Sequence, residues 1–158
     1  HLTIAHGFFE CSKGYELISG DAVEWVNGVS DSTLYDVIID DLYTELNGLP
    51  VRCAPMDIQW CEGLCRLLKP GGMLIFNIIE PDKIPHFPIF KCVELRKRFT
   101  EVIMYRINGY ENRVIAFSET PFVKSNLESN LQKVFRAYPA CRGVKNRYIK
   151  CKISMPML

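Results

Sequence analysis

Three acids sit where an α/β sheet presents its chemistry. Asp21 follows Gly20 at the end of the alternating run Tyr15 to Ser19, and Asp40-Asp41 close the β-branched run Tyr35 to Ile39. Ligands in an open α/β sheet bind beyond the carboxyl ends of its strands. A carboxylate there can accept hydrogen bonds from an exocyclic amine or hold a nearby positive charge. Gly20 lets backbone approach a ligand closely. Plainer roles stand beside these: Asp21 as the cap of a short helix from Ala22 to Val26, and Asp40-Asp41 as a strand end. With Glu45 the paired acids offer too few oxygens for a Mg²⁺ or Ca²⁺ cage, so no metal is expected.

The other reactive residue types are less ordered. Seven cysteines, an odd number, argue for reduced thiols. Cys61 and Cys65 are four apart in an apparent helix with Cys53 nearby, which could supply three zinc ligands. Without a CxxC pair, burial as small apolar residues is preferred. His6 and His86 have no partner evident in sequence, and Trp25 and Trp60 either fill core or lean over a pocket edge.

These residues need elements to position them. Leu2 to Phe9 has roughly helical spacing and reads as the tail of a helix, and Tyr15 to Ser19 as a short strand. Tyr35 to Asp41 reads as a strand buried on both faces. Leu42 to Pro55 lacks clean periodicity and reads as a long loop. Met56 to Leu68 is an amphipathic helix stopped by Lys69-Pro70-Gly71-Gly72, and Met73 to Ile79 is a second buried strand, which completes a βαβ unit. A loop from Glu80 to Pro88 leads to a helix from Ile89 to Phe99. Strands from Thr100 to Asn108 and Asn112 to Ser118 make an antiparallel hairpin. Asn126 to Arg136 suits a last helix, and the basic tail from Tyr138 to Leu158 carries no assignable pattern. The fold class is α/β, a Rossmann-like and mostly parallel sheet with an antiparallel C-terminal hairpin.

At 158 residues and 48% hydrophobic content the composition is that of one soluble domain. Nineteen basic residues against 18 acids create no broad field for nucleic acid or an anionic membrane. No apolar run approaches the roughly 18 residues of a membrane span. A cytoplasmic protein without membrane or nucleic-acid partners is expected. The tail's Arg142, Lys145, Arg147, Lys150 and Lys152, interleaved with Tyr148, read as a solvated face, with RNA contact as the alternative.

Taken together, YELISGDAVEWV (Tyr15 to Val26), LYDVIIDDLYTE (Leu34 to Glu45), CRLLKPGGMLIFN (Cys65 to Asn77) and FTEVIMYRINGYENRVIAF (Phe99 to Phe117) resemble the class I S-adenosylmethionine-dependent methyltransferase superfamily, and within it the spermidine-synthase-like branch of polyamine biosynthesis. The resemblance covers about residues 1–118. It implies S-adenosylmethionine or its decarboxylated form as cofactor, held by Gly20, Asp21, Ala22, Asp41 and Leu42. Asp21 would bind the adenine amino group, with the Ala22 backbone beside the ring. Asp41 matches the acid that orients the attacking amine or accepts its proton, and Tyr43, Thr44 and Glu45 fall in the substrate loop. Thr44 stands where polyamine enzymes carry a second acid, which favours a methyltransferase relative or a homologue with a changed acceptor site. The acceptor, a small molecule or a protein, is expected between Leu42 to Pro55 and Glu80 to Pro88.

The resemblance places the family's first strand, Gly-rich loop and ribose-binding acid ahead of His1. A partial domain over residues 1–122, followed by a C-terminal helix and tail over 123–158, is therefore expected. The sheet would be completed by further sequence, a homodimer mate or a second chain, because an open apolar strand edge invites aggregation. A non-catalytic homologue serving as a protein or RNA interaction module is the competing reading.

Overall fold

The structure, a computed structural model, describes residues 16–107, 109–137 and 148–152. The expected Leu2 to Phe9 helix and the tail from Arg142 to Arg147 lie outside these residues. Helix α1 (Ala22–Gly28) begins at Asp21, whose Oδ1 accepts the backbone N–H groups of Val23 at 2.7 Å and Glu24 at 3.0 Å. Two otherwise unpartnered donors of the first turn are satisfied this way. Residues 16–19 are irregular rather than the expected strand. A strand needs a hydrogen-bonded neighbour, and none of the described strands pairs with them.

Strand β1 (Tyr35–Asp40) is followed by a correction. Strands β2 (Tyr43–Leu46) and β3 (Leu49–Arg52) form an antiparallel hairpin where a loop is expected. Asn47 and Gly48, both at positive φ (53° and 79°), make its two-residue turn. Asn-Gly favours this turn because both central positions require φ above zero. Helix α2 (Ile58–Arg66) starts at Asp57, whose side chain accepts the Trp60 N–H at 2.8 Å.

Strand β4 (Leu68–Ile78) starts earlier than expected and takes in the Lys69 to Gly72 turn residues. Gly72 is required by space, since an added Cβ would lie 2.7 Å from Leu68 Cγ and 2.8 Å from the Lys69 carbonyl oxygen. After a 3₁₀ turn (Pro81–His86), the single expected helix is two: α3 (Pro88–Lys91) and α4 (Val93–Arg98), separated at extended Cys92. Ile89, Leu95 and Phe99 all reach the core across that break. Strands β5 (Glu101–Ile107) and β6 (Arg113–Ser118) form the expected hairpin, and α5 (Lys124–Ala137) the expected last helix. The tail supplies strand β7 (Tyr148–Lys152), which pairs antiparallel with β5.

The sheet order is β1-β4-β6-β5-β7, with β1 and β4 parallel across the α2 crossover and the remaining pairs antiparallel. Leu74, Phe76 and Ile78 of β4 meet Trp60, Cys61, Leu64 and Cys65 of α2, Ile89 and Leu95, and a cluster of Phe87, Phe99 and Phe117. This is the helix-covered face of a Rossmann-like α/β sheet. Among the described strands β1 is bonded on one side only. Val37 and Ile39, which share one face of β1, are 47% and 68% exposed, so β1 is not buried on both faces as its composition suggests. Among the described residues, no helix is long and apolar enough to cross a membrane.

Candidate functional site

Successive side chains of an extended chain point to opposite sides. Asp40 and Asp41 divide accordingly. Asp40 is 2% exposed and accepts two bonds from Arg52, Nη1 at 3.0 Å and Nη2 at 2.6 Å, and one from Trp60 Nε1 at 2.7 Å. Burial alone would lower the Arg52 pKa, but the hydrogen bonds and charge of Asp40 outweigh it and raise it. The fork-on-carboxylate pair ties the β2–β3 hairpin to the end of β1. Asp40 is a structural acid.

Asp41 is exposed and accepts a 2.9 Å bond at Oδ1 from Asn77 Nδ2 on β4. Tyr43 donates its hydroxyl proton to the Asn77 carbonyl oxygen at 2.8 Å, and Asn112 Nδ2 donates to Asn77 Oδ1 at 2.8 Å. The carboxyl ends of β1 and β4, the hairpin and the β5–β6 connection therefore meet at one point. Thr44 and Glu45 are exposed on the hairpin and do not join this group.

Two cavities draw on the chain just after Asp41, one through Leu42 and the other through Tyr43, and neither is lined by Asp41 or Asn77. The larger, about 810 Å³, is lined by Gly20, Asp21, Ala22, Trp25, Tyr35, Val37 and Leu42 among others. Four of the five residues expected at the cofactor meet there; Asp41 does not line it. The Asp21 cap uses only Oδ1, and a Cβ on Gly20 would meet nothing within 4 Å. The second cavity, about 360 Å³, is lined by Tyr43, Arg52, Met56, Ile78, Glu80, Lys83, His86 and Phe87, so it draws on both loops expected to hold the acceptor. Its ionic groups are mostly paired, Arg52 with Asp40 and Lys83 with Glu80 at 2.6 Å, a bond that raises the Lys83 pKa.

Cys61 and Cys65 behave as core. Burial pushes Cys61 up to about 12 and Cys65 up to about 11, while Cys53 is exposed. Among the described residues no three His, Cys, Asp or Glu side chains are grouped to hold a metal ion. Trp60 is a core residue with a polar tip on Asp40, and Trp25 packs against Tyr35 at 6.3 Å between ring centroids. Asn77, Asn112 and Arg52 are the residues around Asp40 and Asp41 that sequence reasoning misses. A lone Asn inside the apolar run of β4 was the available signal, since a polar group there must find partners.

No protein-family model matches the chain, and no curated protein does either. Solved structures do. Human methyltransferase-like protein 13 in complex with SAH superposes with a TM-score of 0.63 at 19% identity, over 85% of this chain and 65% of that one. A probable spermidine synthase from Corynebacterium glutamicum gives a TM-score of 0.55 at 18% identity, over 79% of this chain and 46% of that one. The chain thus spans 65% and 46% of the lengths of these two neighbours. At such identities the likeness shows the fold alone, a Rossmann-like α/β fold shared with these two neighbours.

Proposed function

We propose that this chain forms part of an S-adenosylmethionine-type transferase domain that moves a methyl group to an acceptor held between the β2–β3 hairpin and the 3₁₀ turn. The observation that carries the reading is the placement of Asp41 at the joint carboxyl end of β1 and β4, held by Asn77. Leu42, next in the chain after Asp41, lines the cavity of Gly20, Asp21 and Ala22, and Tyr43, two residues on, lines that of Arg52 and Phe87. Asp21 has an oxygen outside its cap for an adenine amine, and Gly20 leaves room for a close approach. The bound cofactor supplies an electrophilic carbon next to a sulfonium. Asp41 orients the acceptor's lone pair and takes the proton it releases, a role supported by its exposed place beside Asn77.

Methyl rather than aminopropyl transfer is favoured by charge. A diamine needs acids to hold it, whereas the acceptor cavity has Glu80 as its one acid, engaged by Lys83, beside Arg52 and His86. Thr44 supplies no further carboxylate. Isothermal titration of S-adenosylmethionine, its decarboxylated form and methylthioadenosine tests this on the chain and on the full gene product that contains it. Binding with preference for S-adenosylmethionine is expected. Failure of all three ligands on both proteins would sink the reading. It would turn attention to a non-catalytic interaction module, which the exposed Val37 and Ile39 of β1, an edge strand among the described strands, favour.

A further inference from the structure

We propose that Asn77 is the positioning residue of this site, an amide relay that sets the plane of Asp41 and takes its own orientation from Asn112. The proposal rests on the reading of Asp41 as the acid at the reaction centre. Asn77 turns its NH₂ to Asp41 Oδ1, which accepts at 2.9 Å. This orientation sends the Asn77 carbonyl oxygen the other way. There it needs a donor, which Asn112 supplies through Nδ2 at 2.8 Å. The two amides thus point the same way along one line that ends on the carboxylate.

The backbone of Asn77 is fastened as well. Its carbonyl accepts the Tyr43 hydroxyl at 2.8 Å, and its place in β4 is held in register with Val114 of β6. Asp41 lies outside β1 and is exposed, so nothing in the strand restricts its side-chain rotation. A half-buried amide bonded on both faces supplies that restriction: it selects one rotamer and leaves Oδ2 outside the bond to Asn77. Holding a reacting group in one orientation is worth far more to rate than to stability, and displacement by about 1 Å can cost roughly 100-fold.

Side-chain amide signals of the ¹⁵N-labelled chain provide the test. Asp41→Ala is expected to shift the NH₂ pair of Asn77 and, through it, that of Asn112. Asp36→Ala, which removes an exposed acid of β1 paired with Lys69, should move neither. An unmoved Asn112 signal in a folded Asp41→Ala protein overturns the relay. In the full gene product supplied with S-adenosylmethionine, Asn77→Ala should lower turnover about 10- to 100-fold with cofactor affinity unchanged within about twofold. Asn112→Ala, which spares the Asn77–Asp41 bond, should lower turnover less. It also serves if Asn77→Ala does not fold. Turnover unaffected by Asp41→Ala overturns both the function and the relay, whereas an essential Asp41 with Asn77→Ala at full turnover overturns the relay alone.

Discussion

Asp40 and Asp41 are chain neighbours with opposite surroundings: Asp40 is buried against Arg52 and Trp60, and Asp41 is exposed and touched by Asn77. Two substitutions of the same kind should therefore have different consequences. Asp40→Asn leaves the Arg52 guanidinium buried without its counter-charge, and loss of about 3–5 kcal/mol is expected in urea unfolding. Asp41→Asn should change stability by less than about 0.5 kcal/mol and cut transfer by orders of magnitude. Equal loss of stability in both variants would make Asp41 structural.

Asp21 combines two roles that can be separated. Asp21→Ser keeps a cap on α1, whereas Asp21→Ala removes it and should cost about 1 kcal/mol. If Asp21 also reads adenine, both variants should weaken S-adenosylmethionine binding in titration calorimetry. Undiminished affinity in Asp21→Ser would reduce Asp21 to a cap.

Gly20 and Gly72 should respond in opposite ways to an added methyl group. The Cβ of Gly20→Ala enters open space, so the melting temperature should hold while cofactor affinity falls. In Gly72→Ala the Cβ meets the Lys69 carbonyl at 2.8 Å, and destabilisation of about 1–3 kcal/mol is expected from overpacking. Calorimetry on both variants checks this. A Gly20→Ala protein that binds S-adenosylmethionine normally would remove the close-approach argument.

Cys61 and Cys65 give stability a dependence on alkaline pH. Their folded values of about 12 and 11 lie above the ordinary 9.0. Below about pH 9 the thiols are protonated in both states, and their contribution is fully present. As pH rises toward the folded values, the unfolded chain releases protons that the folded chain keeps, so stability falls. Urea midpoints measured upward from pH 9 should decline, less so in Cys61→Ala. At neutral pH iodoacetamide should label exposed Cys53 and spare both buried thiols until the chain unfolds. Rapid labelling of Cys61 in the folded protein would contradict its burial.

Patterns confined to one segment were legible in the sequence. The Asp21 cap, the α2 crossover and the β5–β6 hairpin follow from local capping, spacing and turn length. The hairpin at Tyr43 to Arg52 was also written locally, in Asn47-Gly48, but prolines and exposed leucines mask its alternation. The exposure of β1 was not legible, because Val37 and Ile39 look the same whether or not their face of the sheet is covered. Nor was strand β7, which among the described strands pairs with β5 alone. The site was half readable. Asp41 could be singled out by its place after a strand, whereas its partners Asn77 and Asn112 are brought to it only by the order of strands in the sheet.

That the site is stitched from distant segments ties its occupancy to folding. The Asp41–Asn77, Tyr43–Asn77 and Asn77–Asn112 bonds span 36, 34 and 35 residues of chain. Each closes a long loop, and such non-local contacts form late because chain entropy must be lost before they are gained. A partly folded chain with its helices formed and β4 unpaired would have no relay at all. Any ligand that requires Asp41 and Asn77 together binds only the paired sheet, and at about 100 times its Kd it would add roughly 2.7 kcal/mol to the folded state.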